Sequence, residues 1–337
     1  MFKVGSNVPH RASSTDAVTP RILLKVWWSQ IAMEIVPKNM SRKPMKTAII
    51  LLSFIYTMTP PSVVQSKMTG AAELVAIKVA TAPVIDGNAS DDVWSRAKPL
   101  VTYDPLAEVK LTIRAVYTDD KIFILATFPD KTENRDHKTQ IWVPDQDRYR
   151  ISTVREDTFV IKWNMEGHPV DLHIDAEEPY KADIWYWKSH RTDHAGYADD
   201  KMHVYSSLKA PNSKGLMSKS GVRFYLKRPG DRGKAAYKTA IHGKHAGDRT
   251  SLYPQTVPHG SRADVRAKGV WRDGVWTVEF ARKLVTGNED DVQFDIGRTH
   301  TLGVSRYEIA GRRKNTKLQE PYFGAGEITE PLALRFQ

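Results

Sequence analysis

The residues best equipped for chemistry stand together in the stretch Asp183-Ile-Trp-Tyr-Trp-Lys-Ser-His-Arg-Thr-Asp-His-Ala-Gly-Tyr-Ala-Asp-Asp-Lys201. Trp185 and Trp187 fall on one face of a strand, and Lys188, His190 and Arg191 follow at once. Rings that carry contact area, beside a few polar groups that set orientation, describe the wall of a ligand pocket. A strand end with aromatic packing and a solvated loop fits the same residues.

Metal chemistry has weaker candidates. His242 and His245, and His168 and His173, sit in polar, turn-rich contexts with no carboxylate at helical spacing, so they read as solvated histidines. Asp193, Asp199 and Asp200 offer hard oxygens suited to Ca²⁺, but not at the spacing of an EF-hand loop, and they read as solvated or paired with neighbours such as Lys201. With no cysteine in the chain, disulfides, thiolate metal sites, iron–sulfur clusters and a covalently attached c-type haem are excluded. A phosphate-cradling glycine loop, a nucleophile elbow and a His-Glu-x-x-His motif are also missing, which speaks against a nucleotide enzyme or hydrolase.

The elements that must position these residues are strands. Glu73–Thr81 alternates, and Pro83-Val-Ile-Asp-Gly-Asn88 breaks it with turn chemistry before the short turn Ser90–Trp94. Val109–Tyr117 has a clean period of two and turns through Thr118–Lys121 into Ile122–Phe128. In Thr158–Trp163 the parity puts Phe159, Ile161, Trp163 and Met165 on one face, and Val160 and Lys162 on the other. Further strands are expected at 222–227, 269–271, 275–281, 292–296, 302–307 and 332–336, with Asp273-Gly274 as the strongest hairpin signal. No long segment keeps a helical apolar stripe. The expected fold is all-β, an antiparallel β-sandwich with long loops and few short helices, and its longest loop runs over about 228–262.

The 337 residues carry a net charge of +11, which suits an acidic protein partner. No basic run interleaved with aromatics points to nucleic acid. Residues 1–39 lack periodicity and read as a non-native or disordered extension. From Met40 a basic stretch leads into the apolar run 48–56, too short for a bilayer span but suited to a secretory signal. The expectation is translation from Met40 or Met45, a signal region over 40–72, and an exported, periplasmic domain over 73–337 with no stable membrane span after cleavage.

Pro83–Trp94, Glu156-Asp157, Asp183-Ile-Trp-Tyr-Trp-Lys188, Arg191-Thr192, Gly196-Tyr-Ala-Asp-Asp200 and Asp290-Asp-Val-Gln-Phe294 together resemble the ethylbenzene-dehydrogenase-related haem-binding domain. That family includes gamma subunits of periplasmic molybdoenzymes and the cytochrome c-552/DMSO-reductase-like proteins. The resemblance implies a β-sandwich that binds haem b without covalent links, through axial methionine and lysine, and passes electrons to a redox partner such as a molybdoenzyme or a membrane cytochrome. It implies an electron-transfer subunit more than a catalyst. Family register puts Lys162 at the methionine position, while Met165 lies on the apolar face, where a thioether loses little by burial. Lys314, Lys317 and His300 are the candidates for the second iron ligand. On this reading Trp185 and Trp187 line the pocket, and Lys188, His190 or Arg191 pair with haem propionates. The alternative is a small-ligand or carbohydrate-binding module whose tryptophans stack on sugars.

Overall fold

The computed structural model describes residues 71–104, 108–306 and 330–337. All of them lie in one unit, Val63–Gln337. The expected N-terminal extension, nearly all of the signal region, and Lys314 and Lys317 fall outside the described residues.

Sixteen strands occur among the described residues. In chain order they are β1 (Ala72–Lys78), β2 (Leu100–Asp104), β3 (Val109–Tyr117), β4 (Lys121–Pro129), β5 (Gln140–Val143), β6 (Arg148–Ile151), β7 (Thr158–Asn164) and β8 (Tyr180–Lys188). They continue with β9 (Asp199–Ser206), β10 (Lys214–Met217), β11 (Arg223–Lys227), β12 (Arg249–Thr250), β13 (Arg266–Arg272), β14 (Val275–Lys283), β15 (His300–Ser305) and β16 (Leu332–Phe336). Thirteen join one sheet in the order β10-β11-β9-β8-β7-β15-β16-β1-β3-β4-β14-β13, with β2 beside β3, and β12-β5-β6 form a small second sheet.

The large sheet folds over itself, so that β7 and β8 pack on β4, β13 and β14. Phe159 stacks on Phe128 with centroids 5.3 Å apart, and Trp187 meets Trp276 edge-on at 4.9 Å. Period-two alternation builds this core: Leu111, Ile113 and Ala115 of β3, Ile122, Ile124, Ala126 and Phe128 of β4, and Trp276, Val278 and Phe280 of β14 all face it. β7 follows the parity of its sequence, with Phe159, Ile161 and Trp163 in this core and Val160 in a second cluster on the opposite face.

Two expectations need correction. The sheet is mixed, because β1 pairs in parallel with both β16 and β3. Residues 292–296 form no strand; Phe294 donates its backbone N–H to the carbonyl of Leu284 just after β14 and so tucks its ring into the core. The Asp273-Gly274 turn does join β13 to β14, with φ of 50° and 81°. The Pro83–Trp94 stretch works as a structural clasp. The buried Glu279 of β14 accepts hydrogen bonds from the N–H groups of Asp86 (3.0 Å) and Gly87 (2.7 Å) and from Trp94 Nε1 (2.9 Å). Trp94 belongs to the only α-helix among the described residues, α1 (Asp92–Arg96).

Candidate functional site

Strand β8 is buried on both faces, and its alternation divides the signature stretch in two. Asp183, Trp185 and Trp187 face the main core, while Tyr186 and Lys188 face the other way. Trp185 and Trp187 are wholly buried and offer no ring face to a ligand in solution. Trp187 donates Nε1 to Asp193 (2.9 Å), and the same carboxylate oxygen receives the N–H of Gly269 (2.7 Å).

The basic residues after β8 are neutralised locally. Lys188 is buried in an ion pair with Asp199 and also donates to the Tyr237 hydroxyl (2.9 Å). Burial pulls its ammonium pKa down to about 8 against the pull of Asp199. Burial works against ionising Asp199, but Lys188 and Arg262 hold its carboxyl well below the usual range. Arg191 pairs with the buried Glu156 and lies over the rings of Tyr237 and Tyr253. Tyr237 comes from the long 228–262 segment, so that segment braces this network. His190 bonds through Nδ1 to the carbonyl of Arg135 (2.7 Å).

Of the iron-ligand candidates, Met165 and His300 share one place. The β7–β15 register pairs Leu302 with Trp163, and its continuation sets His300 opposite Met165. Both are half-buried at one end of the inner face. Met165 packs on the main core, and the His300 ring lies against Phe294 (5.1 Å) and Phe336 (6.0 Å). Its Nε2 is 3.0 Å from the carbonyl of Asp295, and burial lowers its pKa, which favours the neutral imidazole. Lys162 points to the opposite face of β7, where Nζ donates to the carbonyl of Leu172 (2.6 Å) and to the Tyr180 hydroxyl (2.8 Å).

A thioether and a neutral imidazole over an aromatic bed are donors that suit haem iron. Met165 and His300 are therefore the described residues at this end of the core that could hold it.

The fold gathers a further group that motif reasoning did not assemble. Asp183 of β8, Asp200 of β9 and Asp291 each offer a carboxylate oxygen within 4.8 Å of the other two, and all three are buried. Arg282, at the inward end of β14, pairs with Asp183 and lies 3.5 Å from Asp291 Oδ1. Its guanidinium stacks over Trp185 and Phe294. The signal was available in the sequence: Asp183 has the parity of Trp185, and Arg282 that of Trp276, Val278 and Phe280. Asp193, Asp199 and Asp200 are buried rather than solvated; the paired reading holds for Asp193, with Arg135 and Lys268, and for Asp199, with Lys188 and Arg262.

No curated protein matches this chain. Among solved structures, a family 9 carbohydrate-binding module from Caldicellulosiruptor kristjanssonii with cellotriose is 12% identical, with 79% of this chain and 94% of that chain covered and a TM-score of 0.32. The same organism's module with glucose is 10% identical, with 78% and 95% covered and a TM-score of 0.32. A sequence model described as ethylbenzene dehydrogenase matches residues 71–317, nearly all of the strand-bearing chain, and the chain therefore belongs to the ethylbenzene dehydrogenase family.

Proposed function

We propose that this protein is an exported haem b carrier that passes single electrons within a multi-subunit oxidoreductase, in the manner of a gamma-type subunit of a molybdoenzyme. Membership of the ethylbenzene dehydrogenase family is the observation that carries this reading. Haem b bound here would supply the one-electron couple.

Met165 is the residue we assign as the one that would ligate the haem iron. Its thioether favours the ferrous state, and its place on an apolar face costs little desolvation. Trp163, Phe294 and Phe336 keep water from that end of the core. Lys314, Lys317 or the half-buried His300 would supply the second iron ligand. Lys188 and Arg191 keep their carboxylate partners and hold the β8 end rigid. The basic net charge steers an acidic partner towards the protein.

The test is an absorption spectrum of protein isolated from the periplasm of cells supplied with haem, first oxidised and then reduced with dithionite. Sharp bands of six-coordinate b haem are expected, and Met165→Ala should shift or abolish them while Lys162→Ala leaves them in place. A colourless protein that cannot be reconstituted with haem would overturn the reading.

A further inference from the structure

One corner of the sandwich's inner face is charged without being neutral. Asp183 and Asp200 have no measurable exposure, and Asp291 has 4%. Three carboxylates against the single guanidinium of Arg282 leave two negative charges in a buried space, a state that costs several kcal/mol per uncompensated ion.

The hydrogen bonds within the cluster do not spread this charge. Asp183 spends Oδ2 on Arg282 and on the N–H of Val292 (3.0 Å), and Asp291 spends Oδ2 on the hydroxyl of Thr286 (2.5 Å). The other oxygens, Asp183 Oδ1, Asp291 Oδ1 and both oxygens of Asp200, receive no hydrogen bond. Asp200 cannot swing out to water, because its strand neighbour is Trp185 and its side chain lies in the sandwich. Buried acceptors left unbonded are rare in folded proteins, and each calls for a counter-group.

We propose that Asp183, Asp200 and Asp291 bind one hard divalent cation of the size of calcium, with Arg282 completing the charge balance. Three carboxylates, one guanidinium and one divalent ion sum to zero. Oxygens no more than 4.8 Å apart leave a point within about 2.8 Å of all three. A small inward movement brings that to the 2.3–2.6 Å of calcium–oxygen bonds, whereas magnesium would demand about 2.1 Å and strict octahedral geometry. Asp231, whose backbone N–H donates to the Asp200 carbonyl (3.3 Å), stands beside the cluster as a further oxygen source. The ion ties β8, β9 and the segment after β14 together, which makes it a structural clamp on the strand that carries the signature tryptophans. This assignment is independent of haem.

The rival account is that protons neutralise the corner: burial and the neighbouring acids raise Asp183 and Asp200 above the usual carboxylate range. The experiment separates the two. The full chain is stripped with EDTA, dialysed near pH 7.5, and its unfolding midpoint is followed against added CaCl₂ or MgCl₂, with elemental analysis of the untreated protein. One calcium per chain is expected, with a midpoint rise of roughly 5–10 °C at a hundredfold excess over the dissociation constant. Magnesium should give a much smaller rise, and Asp200→Asn should lose the calcium response. If that variant does not fold, Asp291→Asn takes its place. A wild-type protein with no bound ion and a midpoint indifferent to calcium would overturn the proposal in favour of protons, as would an undiminished calcium response in both variants.

Discussion

Gly269→Ala should destabilise the protein strongly, because the added methyl meets a buried ring. An alanine Cβ at that position would lie 2.3 Å from Cζ2, 2.8 Å from Cε2 and 3.0 Å from Cη2 of Trp187. Carbon atoms in good contact sit at about 3.5–4.0 Å, so strand and ring would have to separate by more than an ångström. They cannot do so freely, because one oxygen of Asp193 accepts both the Gly269 N–H and the Trp187 Nε1–H. Overpacking of this kind costs about 1–3 kcal/mol, and the stretched hydrogen bond adds about 1 kcal/mol. The expected loss is about 2–4 kcal/mol, or roughly 5–15 °C in the unfolding midpoint for a domain of this size. The assay is urea and thermal unfolding of wild type, Gly269→Ala, Trp187→Leu and the double variant. A coupling energy above about 1 kcal/mol, with the double variant more stable than the two losses added together, is required. An unchanged midpoint for Gly269→Ala, or strict additivity, would refute the steric argument.

Three further outcomes are expected. Burial and the neighbouring Asp130 push the Asp157 carboxyl up to about 7, whereas in the unfolded chain it titrates near 4. Between those values the folded state holds more protons, so this group makes stability fall as pH rises through the window. Asp157→Asn, which keeps an acceptor for Trp276 Nε1 and the Asn134 N–H, should flatten the slope of urea midpoints between about pH 4.5 and 7, and an unaltered slope sinks the assignment. Arg282→Leu strands the buried Asp183 and Asp291, at an expected cost of about 3–5 kcal/mol in urea unfolding with EDTA present; a loss under 1 kcal/mol would contradict it. Glu279→Ala leaves three N–H donors without their acceptor and should cost about 2–4 kcal/mol, with Glu279→Gln recovering part of it in the same assay.

What was legible in the sequence was local. The Asp273-Gly274 hairpin follows from residues that accept a positive φ, and the inward face of β7 follows from strict alternation. The parallel ladders of β1 with β16 and β3 were not legible, because alternation names a face and never a partner. The tryptophans of β8 looked like a pocket wall because charges crowd around them. The structure shows those charges consumed by Asp199 and Glu156, residues that only the fold brings near. The acidic corner went unread for the opposite reason: its members are 17 and 91 residues apart along the chain (200 − 183 and 291 − 200), and only the fold brings the loop residue Asp291 to the inward-facing Asp183 and Asp200.

The position of β16 has a consequence for how the molecule is made. This strand, residues 332–336, lies between β15 and β1 in the middle of the large sheet, and it contacts a strand that begins at residue 72. Until it is synthesised, the β1 and β15 flanks it will occupy are both open edges, ready to pair with another chain. Closure therefore waits for β16 to emerge and then spans nearly the whole domain in one contact, which marks a slow step. A nascent chain held short of residue 332 should stay unlocked, protease-sensitive and dependent on chaperones, and the release of a few more residues should convert it to the closed sandwich.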